Sequence, residues 1–203
     1  MKKMLIALLS LMLLATSAFA EDKATENAFT PTDSNLLVAC FSATGNTWPL
    51  AEYAAEYLNA DLFRIEPEEP YTDADLNYNN DQSRANREMA DDACRPALAA
   101  TVESMDQYDT VILAFPIWWG QAPRIIETFI ESHDLSGKTV LCFCTSGGSG
   151  FGNTGSILSA LTDDTVTWLE GHRFSAGTSA EQMQQWLQEM GIAPYAPEAV
   201  KEG

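Results

Sequence analysis

A turn rich in hydroxyl groups is the part of this sequence best suited to bind a ligand. Its three hydroxyls, one amide and one glycine are supplied by Ser42, Thr44, Thr47, Asn46 and Gly45. The turn lies before a predicted helix, whose free N–H groups and positive dipole end favour a phosphate. It contains no Lys or Arg, which argues against a P-loop and favours a terminal phosphate held by neutral donors. An ordinary N-capped turn is the alternative interpretation.

The segments on either side of this turn predict a strand and a helix. Residues 36–41 form an apolar run of the length expected for a strand buried on both faces. In residues 48–58, apolar side chains recur at helical spacing, and Pro49 is tolerated because it lies in the first helical turn. The predicted unit is therefore strand, ligand-binding turn and helix.

Two further loops follow strongly predicted strands. Residues 116–120 follow the apolar strand 110–115, and residues 145–152 follow the strand 139–144. The first loop places paired tryptophans beside a glycine, which suits a flat aromatic ligand, and the second is rich in Gly and Ser and offers backbone N–H groups. Ligands of parallel sheets bind beyond the carboxyl ends of the strands, so we expect the three loops to meet there.

The remaining pattern predicts an α/β fold with a parallel sheet covered by helices on both faces. Ser179 and Gln182 form a predicted capping box, and Gly191 ends the same helix. The long polar segment 67–107 is expected to be a crossover connection, with a flap beside the binding site as the alternative. The other predicted elements are strands at 61–65 and 165–169, and helices at 83–93, from about 98, from about 123, and at 154–161.

The N-terminus has the features of a secretory signal peptide. Lys2 and Lys3 precede an apolar run, and a small-x-small cleavage pattern ends at Ala20. The predicted organisation is a signal peptide at 1–20, a flexible lead-in at 21–34, one domain at 35–192 and a tail at 193–203. We expect an exported protein, periplasmic or secreted, that crosses the membrane unfolded and keeps no stable membrane insertion after cleavage.

The composition is strongly acidic. The formal net charge of the chain is −18, and loss of Lys2 and Lys3 with the signal peptide leaves 9 basic and 29 acidic residues, a net charge of −20. This charge argues against nucleic acid and anionic membrane surfaces as partners.

The cysteines and histidines give no sign of a metal site or a catalytic dyad. Cys142 and Cys144 lie two residues apart on one strand, so they share a face and are poorly placed to bridge each other. We interpret both, and Cys40, as small core residues, while the state of Cys94 is left open. The two histidines of the chain are isolated, and we expect surface positions for them.

The motifs Ser42–Thr47, Pro116–Gly120 and Thr145–Ser149, in this order, resemble those of the flavodoxin family. The resemblance spans residues 36–191 and implies a five-stranded parallel sheet of order 2-1-3-4-5 in a short-chain-like member. It implies FMN as cofactor, with the phosphate on the first motif and the isoalloxazine ring on the other two. The implied cofactor-binding residues are Ser42, Thr44, Gly45, Asn46, Thr47, Pro116, Ile117, Trp118, Trp119, Gly120, Ser146, Gly147 and Gly148.

The leading functional interpretation is an FMN-binding electron-transfer protein that exchanges electrons with redox protein partners. Such a protein needs no catalytic acid, base or nucleophile, since the flavin carries the chemistry. A flavin-dependent NAD(P)H or quinone oxidoreductase is the first alternative, in which segment 67–107 would shape a substrate pocket. A flavodoxin-like binding module that has lost redox activity is the second.

Overall fold

The computed structural model describes residue 29 and residues 31–197. The predicted signal peptide, most of the predicted lead-in and residues 198–203 lie outside the described residues. None of the helices within residues 31–197 is both long and apolar enough to cross a bilayer.

The structure has the predicted α/β fold. The sheet has the order β2-β1-β3-β4-β5, with an additional strand, β6, also paired with β4, and all of its pairings are parallel. The strands are β1 (Leu36–Cys40), β2 (Asp61–Arg64), β3 (Thr110–Pro116), β4 (Thr139–Thr145), β5 (Thr167–Trp168) and β6 (His172–Phe174). The helices are α1 (Trp48–Leu58), α2 (Arg84–Ala90), α3 (Arg124–Glu131), α4 (Thr154–Ser159) and α5 (Ala180–Glu189).

Helices cover both faces of this sheet because its central strands are apolar on both sides. Side chains such as Val38 and Ile112 pack beneath α1 and α5, whereas Leu37 and Leu113 belong to the opposite core layer with α3. Cys142 and Cys144 lie together in that second layer, and Cys40 lies in the first. The interpretation of these three cysteines as core residues is confirmed, and no disulfide forms among the four cysteines, all of which lie in the described part of the chain.

The predicted fifth strand differs from the structure in its extent. Thr167 and Trp168 pair with the start of β4, whereas β6, which the sequence analysis missed, pairs with its end. Residues 169–171 interrupt the pairing. A Cβ at Gly171 would fall 2.2 Å from the ring of Phe151, so the break accommodates that ring from the loop after β4.

Segment 67–107 is a crossover between β2 and β3. Ala85, Met89, Val102 and Met105 are buried in the core layer beneath it. The prediction of a helix from about residue 98 is wrong. Leu98 pairs with Pro67 in an antiparallel bridge, so the backbone groups around Leu98 form hydrogen bonds with residues 66–68 instead of the local bonds of a helix. The helical turn of this part is a short 3₁₀ helix at Met105–Gln107.

The described end of the lead-in, which the sequence analysis expected to be flexible, packs against β2. The backbone N–H of Thr32 donates to both carboxylate oxygens of Asp61, at 3.0 and 2.9 Å. Asp61 is buried and also accepts a hydrogen bond of 2.7 Å from the hydroxyl of Tyr108. The ring of Phe29 packs edge-on against Phe63, with 5.1 Å between ring centroids.

Candidate flavin site

The three predicted loops lie together at one edge of the sheet. In the parallel register, Cys40 is beside Ala114, and Pro116 is beside Thr145. The chain segments that leave β1, β3 and β4 therefore start side by side at the carboxyl edge. The strand order reverses direction between β1 and β3, the position at which parallel sheets bind ligands.

The turn after β1 is held open by Ser42. Its hydroxyl oxygen accepts hydrogen bonds from the N–H groups of Thr47 (3.1 Å) and Trp48 (3.2 Å). No described residue accepts from the N–H groups of Thr44 or Asn46, and both residues are exposed. Gly45 has a positive φ of 79° and open space around it. The turn therefore offers free backbone donors and neutral side chains to an anion.

Thr47 has a different position from the rest of this turn. It is 0% exposed, and its hydroxyl lies 2.8 Å from the hydroxyl of Thr145 at the end of β4. The sequence predicts Thr145 at the start of the third loop but does not reveal this contact, because nothing in a sequence pairs two threonines on separate strands. The contact fixes the first loop relative to the third.

A basic side chain that the sequence analysis missed lies beside the first turn. The guanidinium carbon of Arg64, at the end of β2, lies 3.5 Å from the ring centroid of Trp48. The indole N–H of Trp48 donates to Glu52 at 2.7 Å, which fixes the ring under the guanidinium. Its place near the end of the predicted strand 61–65 was the sequence signal that could have found it, and the register beside Cys40 puts it at the carboxyl edge.

The two tryptophans of the second loop point in different directions. The N–H of Trp118 donates to the carbonyl of Gln121 (2.9 Å) and the N–H of Gln121 donates back (3.1 Å), which closes a two-residue turn. Trp118 is only 4% exposed and packs edge-on against Phe41 and Tyr71. Trp119 is 60% exposed. Of the two tryptophans, Trp119 is therefore the one that presents a large free aromatic surface.

Trp119 and Gly120, the central residues of that turn, both have positive φ, of 49° and 85°. Positive φ at both positions is typical of a type I′ turn, where Asn or Gly is usual and a bulky residue is strained. The preceding residues Pro116 and Ile117 are half-buried, and the N–H of Ile117 donates to the carbonyl of Thr145 at 2.9 Å. The start of the loop is therefore fixed by hydrogen bonding, whereas its tip is exposed and has a strained backbone.

The third loop provides an open, glycine-lined surface. Gly147 and Gly148 are exposed, and a Cβ at either position would meet no atom within 4 Å. The hydroxyl of Ser146 accepts from the N–H of Gly148 at 3.2 Å, and its carbonyl accepts from the guanidinium of Arg173. The Nε of Arg173 is buried without a hydrogen-bond partner among the described residues. A flat ligand between this loop and Trp119 would meet backbone groups and few side chains.

The cysteine nearest to the three loops is not a reactive group. Cys144 lies at the end of β4, where burial raises the pKa of its thiol to about 12, although Arg173 opposes the shift. This cysteine is therefore an unreactive thiol at neutral pH. Among the described residues, no group of His, Cys, Asp or Glu side chains is arranged to hold a metal ion.

Comparison with known proteins agrees with this geometry. The sequence profile described as Flavodoxin matches residues 35–190. The chain belongs to the flavodoxin family. The match spans the whole sheet and all three loops, and it confirms the family that the motifs indicate.

Solved structures give the same assignment for the fold. A protein from Bacteroides eggerthii, assigned as a flavoprotein, is 44% identical, with a TM-score of 0.73 over 78% of this chain and 99% of that one. A similar protein from Bacteroides uniformis is 42% identical, with a TM-score of 0.72 over 76% and 98% of the two chains. No curated protein matches this flavodoxin-family chain.

A more distant structure was solved with a ligand. The flavoprotein of Lactobacillus acidophilus in complex with FMN is 20% identical to this chain, with a TM-score of 0.59 over 75% of this chain and 97% of that one. At this identity the likeness supports the shared fold. Which side chains of the present flavodoxin-family protein touch a ligand stays a prediction from its own loops.

Proposed function

We propose that this protein binds FMN and carries single electrons or electron pairs between redox protein partners. The observation that carries the proposal is the convergence of three loops at the β1–β3 switch: an anion-binding turn, an exposed tryptophan and a glycine-lined surface. Membership of the flavodoxin family and the FMN-bound relative support the choice of FMN. FMN would supply the redox chemistry, and the chain's own residues bind and orient it.

Different residues of the site bind the phosphate and the ring of FMN. The exposed turn formed by Thr44, Gly45 and Asn46 holds the phosphate through backbone N–H groups and side-chain donors. Trp119 would stack on the ring, and the N–H of Gly147, which bonds to no described acceptor, would serve its polar edge, since the N–H of Gly148 is used by Ser146. The net charge of −20 of the mature chain disfavours a negative charge on the reduced ring and lowers its reduction potential.

A comparison of FMN with riboflavin tests the phosphate turn. Because riboflavin has the same ring without the phosphate, wild type should bind FMN much more tightly in a fluorescence titration. Thr44→Ala removes a hydroxyl donor to a charged oxygen and should weaken FMN by roughly 1.5–3 kcal/mol while leaving riboflavin unchanged. Thr101→Ala, at another exposed threonine, is the matched control. Equal affinity of wild type for the two ligands would mean that the turn is only a helix cap.

A flavin-dependent NAD(P)H or quinone oxidoreductase is the second candidate. A cavity of about 460 Å³ beside Trp119 favours it, since ligand pockets are commonly of that size. Its lining residues are Asp81, Asn86, Met89, Ala90, Trp119 and Gln121. An NAD(P)H oxidation assay of the FMN-loaded protein, with and without a quinone, separates the candidates: oxidation favours the enzyme, and bound flavin without oxidation favours the carrier.

We also propose that the protein is exported and acquires FMN after export. The support is the signal-peptide pattern of residues 1–20, which directs unfolded chains, together with a site built from three distant loops that exists only after folding. Residues 21–203 expressed without the signal should fold in the cytoplasm and purify with FMN. Cell fractionation of the full chain should recover it outside the cytoplasm, and retention in the cytoplasm would contradict export.

A further inference from the structure

The exposed indole of Trp119 is anchored by a residue from the crossover segment. Its Nε1–H donates to the side-chain oxygen of Asn86 on α2, at 2.8 Å. Asn86 lies 33 positions earlier in the chain and is itself buried. The aromatic ring of Tyr78 packs edge-on against the same indole, with 6.0 Å between ring centroids. The crossover therefore reaches the tip of the second loop.

Asn86 is held so that only its oxygen faces the indole. Its amide nitrogen donates to the backbone carbonyls of Tyr78 (3.1 Å) and Asn80 (2.9 Å). Because a side-chain amide has two N–H donors, both are used on these carbonyls and the oxygen is left for Trp119. The orientation of the acceptor is thus fixed by the crossover before any ligand binds.

Without this hydrogen bond, the indole of Trp119 could turn into an adjacent cavity. The cavity of about 460 Å³ described above lies between α2 and the second loop, and both Asn86 and Trp119 line it. Trp119 is mostly exposed, so packing restrains its side chain weakly. Its backbone is also in a region of φ that a bulky residue seldom adopts, and such strain persists only where the surroundings enforce it.

We propose that Asn86 is a positioning residue that holds Trp119 in the orientation required for stacking on the flavin ring. The inference rests on the proposed function, because it takes Trp119 as the stacking partner. It gives the long crossover a role beyond covering the core: its helix α2 carries the acceptor that prevents the indole from turning into the neighbouring cavity.

The anchor is tested first without flavin, by NMR of the apo-protein. The indole N–H signal of Trp119 is assigned as the one that disappears in Trp119→Phe. In Asn86→Ala this N–H loses its acceptor, and its exchange with solvent should become about fivefold faster, the change expected for loss of one ordinary hydrogen bond. Arg87→Ala, at the exposed neighbouring position of α2, should leave the exchange rate unchanged. An unchanged rate in Asn86→Ala would overturn the anchor.

A double-variant cycle then tests the role in flavin binding. Asn86→Ala should weaken FMN about fivefold, the loss expected for one ordinary hydrogen bond. Trp119→Phe keeps a ring but lacks the N–H, so in that background Asn86→Ala should cause no further loss of affinity. Equal losses in both backgrounds would mean that Asn86 acts only by supporting α2, and would overturn the proposal.

The experiments distinguish failure of this proposal from failure of the proposed function. If wild type binds no FMN, the proposed function fails, and the exchange measurement on the apo-protein still decides whether Asn86 holds the indole. If Asn86→Ala does not fold, Trp119→Phe tests the same bond from its exposed end. The substituted ring lacks the anchoring bond, so its NMR signals should be broadened or shifted by motion that the wild-type indole does not show. Equal rigidity of the substituted ring and the wild-type indole would overturn the anchor.

Discussion

The hydroxyl oxygens of Thr47 and Thr145 lie 2.8 Å apart, although 98 positions separate the two residues in the chain. Strand β3 lies between β1 and β4 in the sheet, so this bond spans a whole strand at the carboxyl edge. Both residues are buried. The turn after β1 and the glycine-lined loop after β4 are therefore fixed relative to each other, and such preorganisation reduces the ordering cost of ligand binding.

Removal of one of these hydroxyls should cost more than removal of both. Thr47→Val keeps the shape of the side chain but leaves the buried hydroxyl of Thr145 unsatisfied, and should lower the free energy of unfolding by about 1–3 kcal/mol. In the double variant Thr47→Val/Thr145→Val, two apolar groups of the same shape meet, and much of the loss should be recovered. Urea unfolding of the apo-proteins measures both effects. Additive losses in the double variant would contradict the interaction.

The local features of the fold are those that the sequence predicts well. The capping box of Ser179 and Gln182 is present in the structure, and Gly191 has the positive φ expected after a helix. Strands β1, β3 and β4 are recognisable because their residues are apolar on both faces. The turn between β1 and α1 follows from the same strand–turn–helix pattern, which lies within one short stretch of the chain.

Contacts between distant segments are what the sequence could not predict. Whether Trp118 or Trp119 faces inward depends on the turn closed by Gln121 and on partners such as Tyr71 and Asn86 from the crossover. The interruption of strand pairing after β5 likewise depends on the ring of Phe151, which lies in the loop after β4. Periodicity reports which face of an element is apolar, but not which side chain from elsewhere fills the space beside it.

The positive φ of Trp119 predicts an unusual order of stability for the Gly and Ala variants at this position. In most loops Ala is at least as stabilising as Gly, because it restricts the unfolded chain. At φ 49° the order should reverse: Trp119→Gly should be more stable than Trp119→Ala by about 1 kcal/mol, since only the latter keeps a Cβ in the left-handed region. Both variants lack the indole and should bind FMN equally weakly. Urea unfolding of the two apo-proteins decides the order, and a more stable Ala variant would show that the backbone is relaxed there.

Gly171 and Phe151 should behave as a coupled pair. A Cβ at residue 171 would lie 2.2 Å from the ring of Phe151, so Gly171→Ala must displace the ring and should lower stability by about 1–3 kcal/mol. Phe151→Leu removes the distal ring atoms that the Cβ would meet. In the Phe151→Leu background, Gly171→Ala should therefore cost clearly less, as measured by thermal unfolding. The same cost in both backgrounds would place the strain elsewhere.

His133 should make the stability of the protein fall in mild acid. Its Nε2 accepts a hydrogen bond of 2.9 Å from the N–H of Val102, and its Nδ1 lies 2.7 Å from the carbonyl of Phe129, so the folded state requires the neutral ring with its proton on Nδ1. Burial lowers the pKa of His133 below its ordinary value, although the bond to the Phe129 carbonyl opposes the shift.

The sign of the effect follows from this lowered pKa. Well above pH about 6.5, the ordinary pKa of His in the unfolded chain, the ring is neutral in both the folded and the unfolded chain, and the full stability is present. As the pH falls through the range between the unfolded and the folded pKa, only the unfolded chain takes up the proton, so stability is lost at no more than about 1.4 kcal/mol per pH unit from this residue. His133→Gln, which stays neutral, should show a shallower decline in urea-unfolding free energy between pH 7 and 5.5. His172→Gln, at an exposed position, is the matched control, and equal slopes for wild type and His133→Gln would assign the acid sensitivity to other groups.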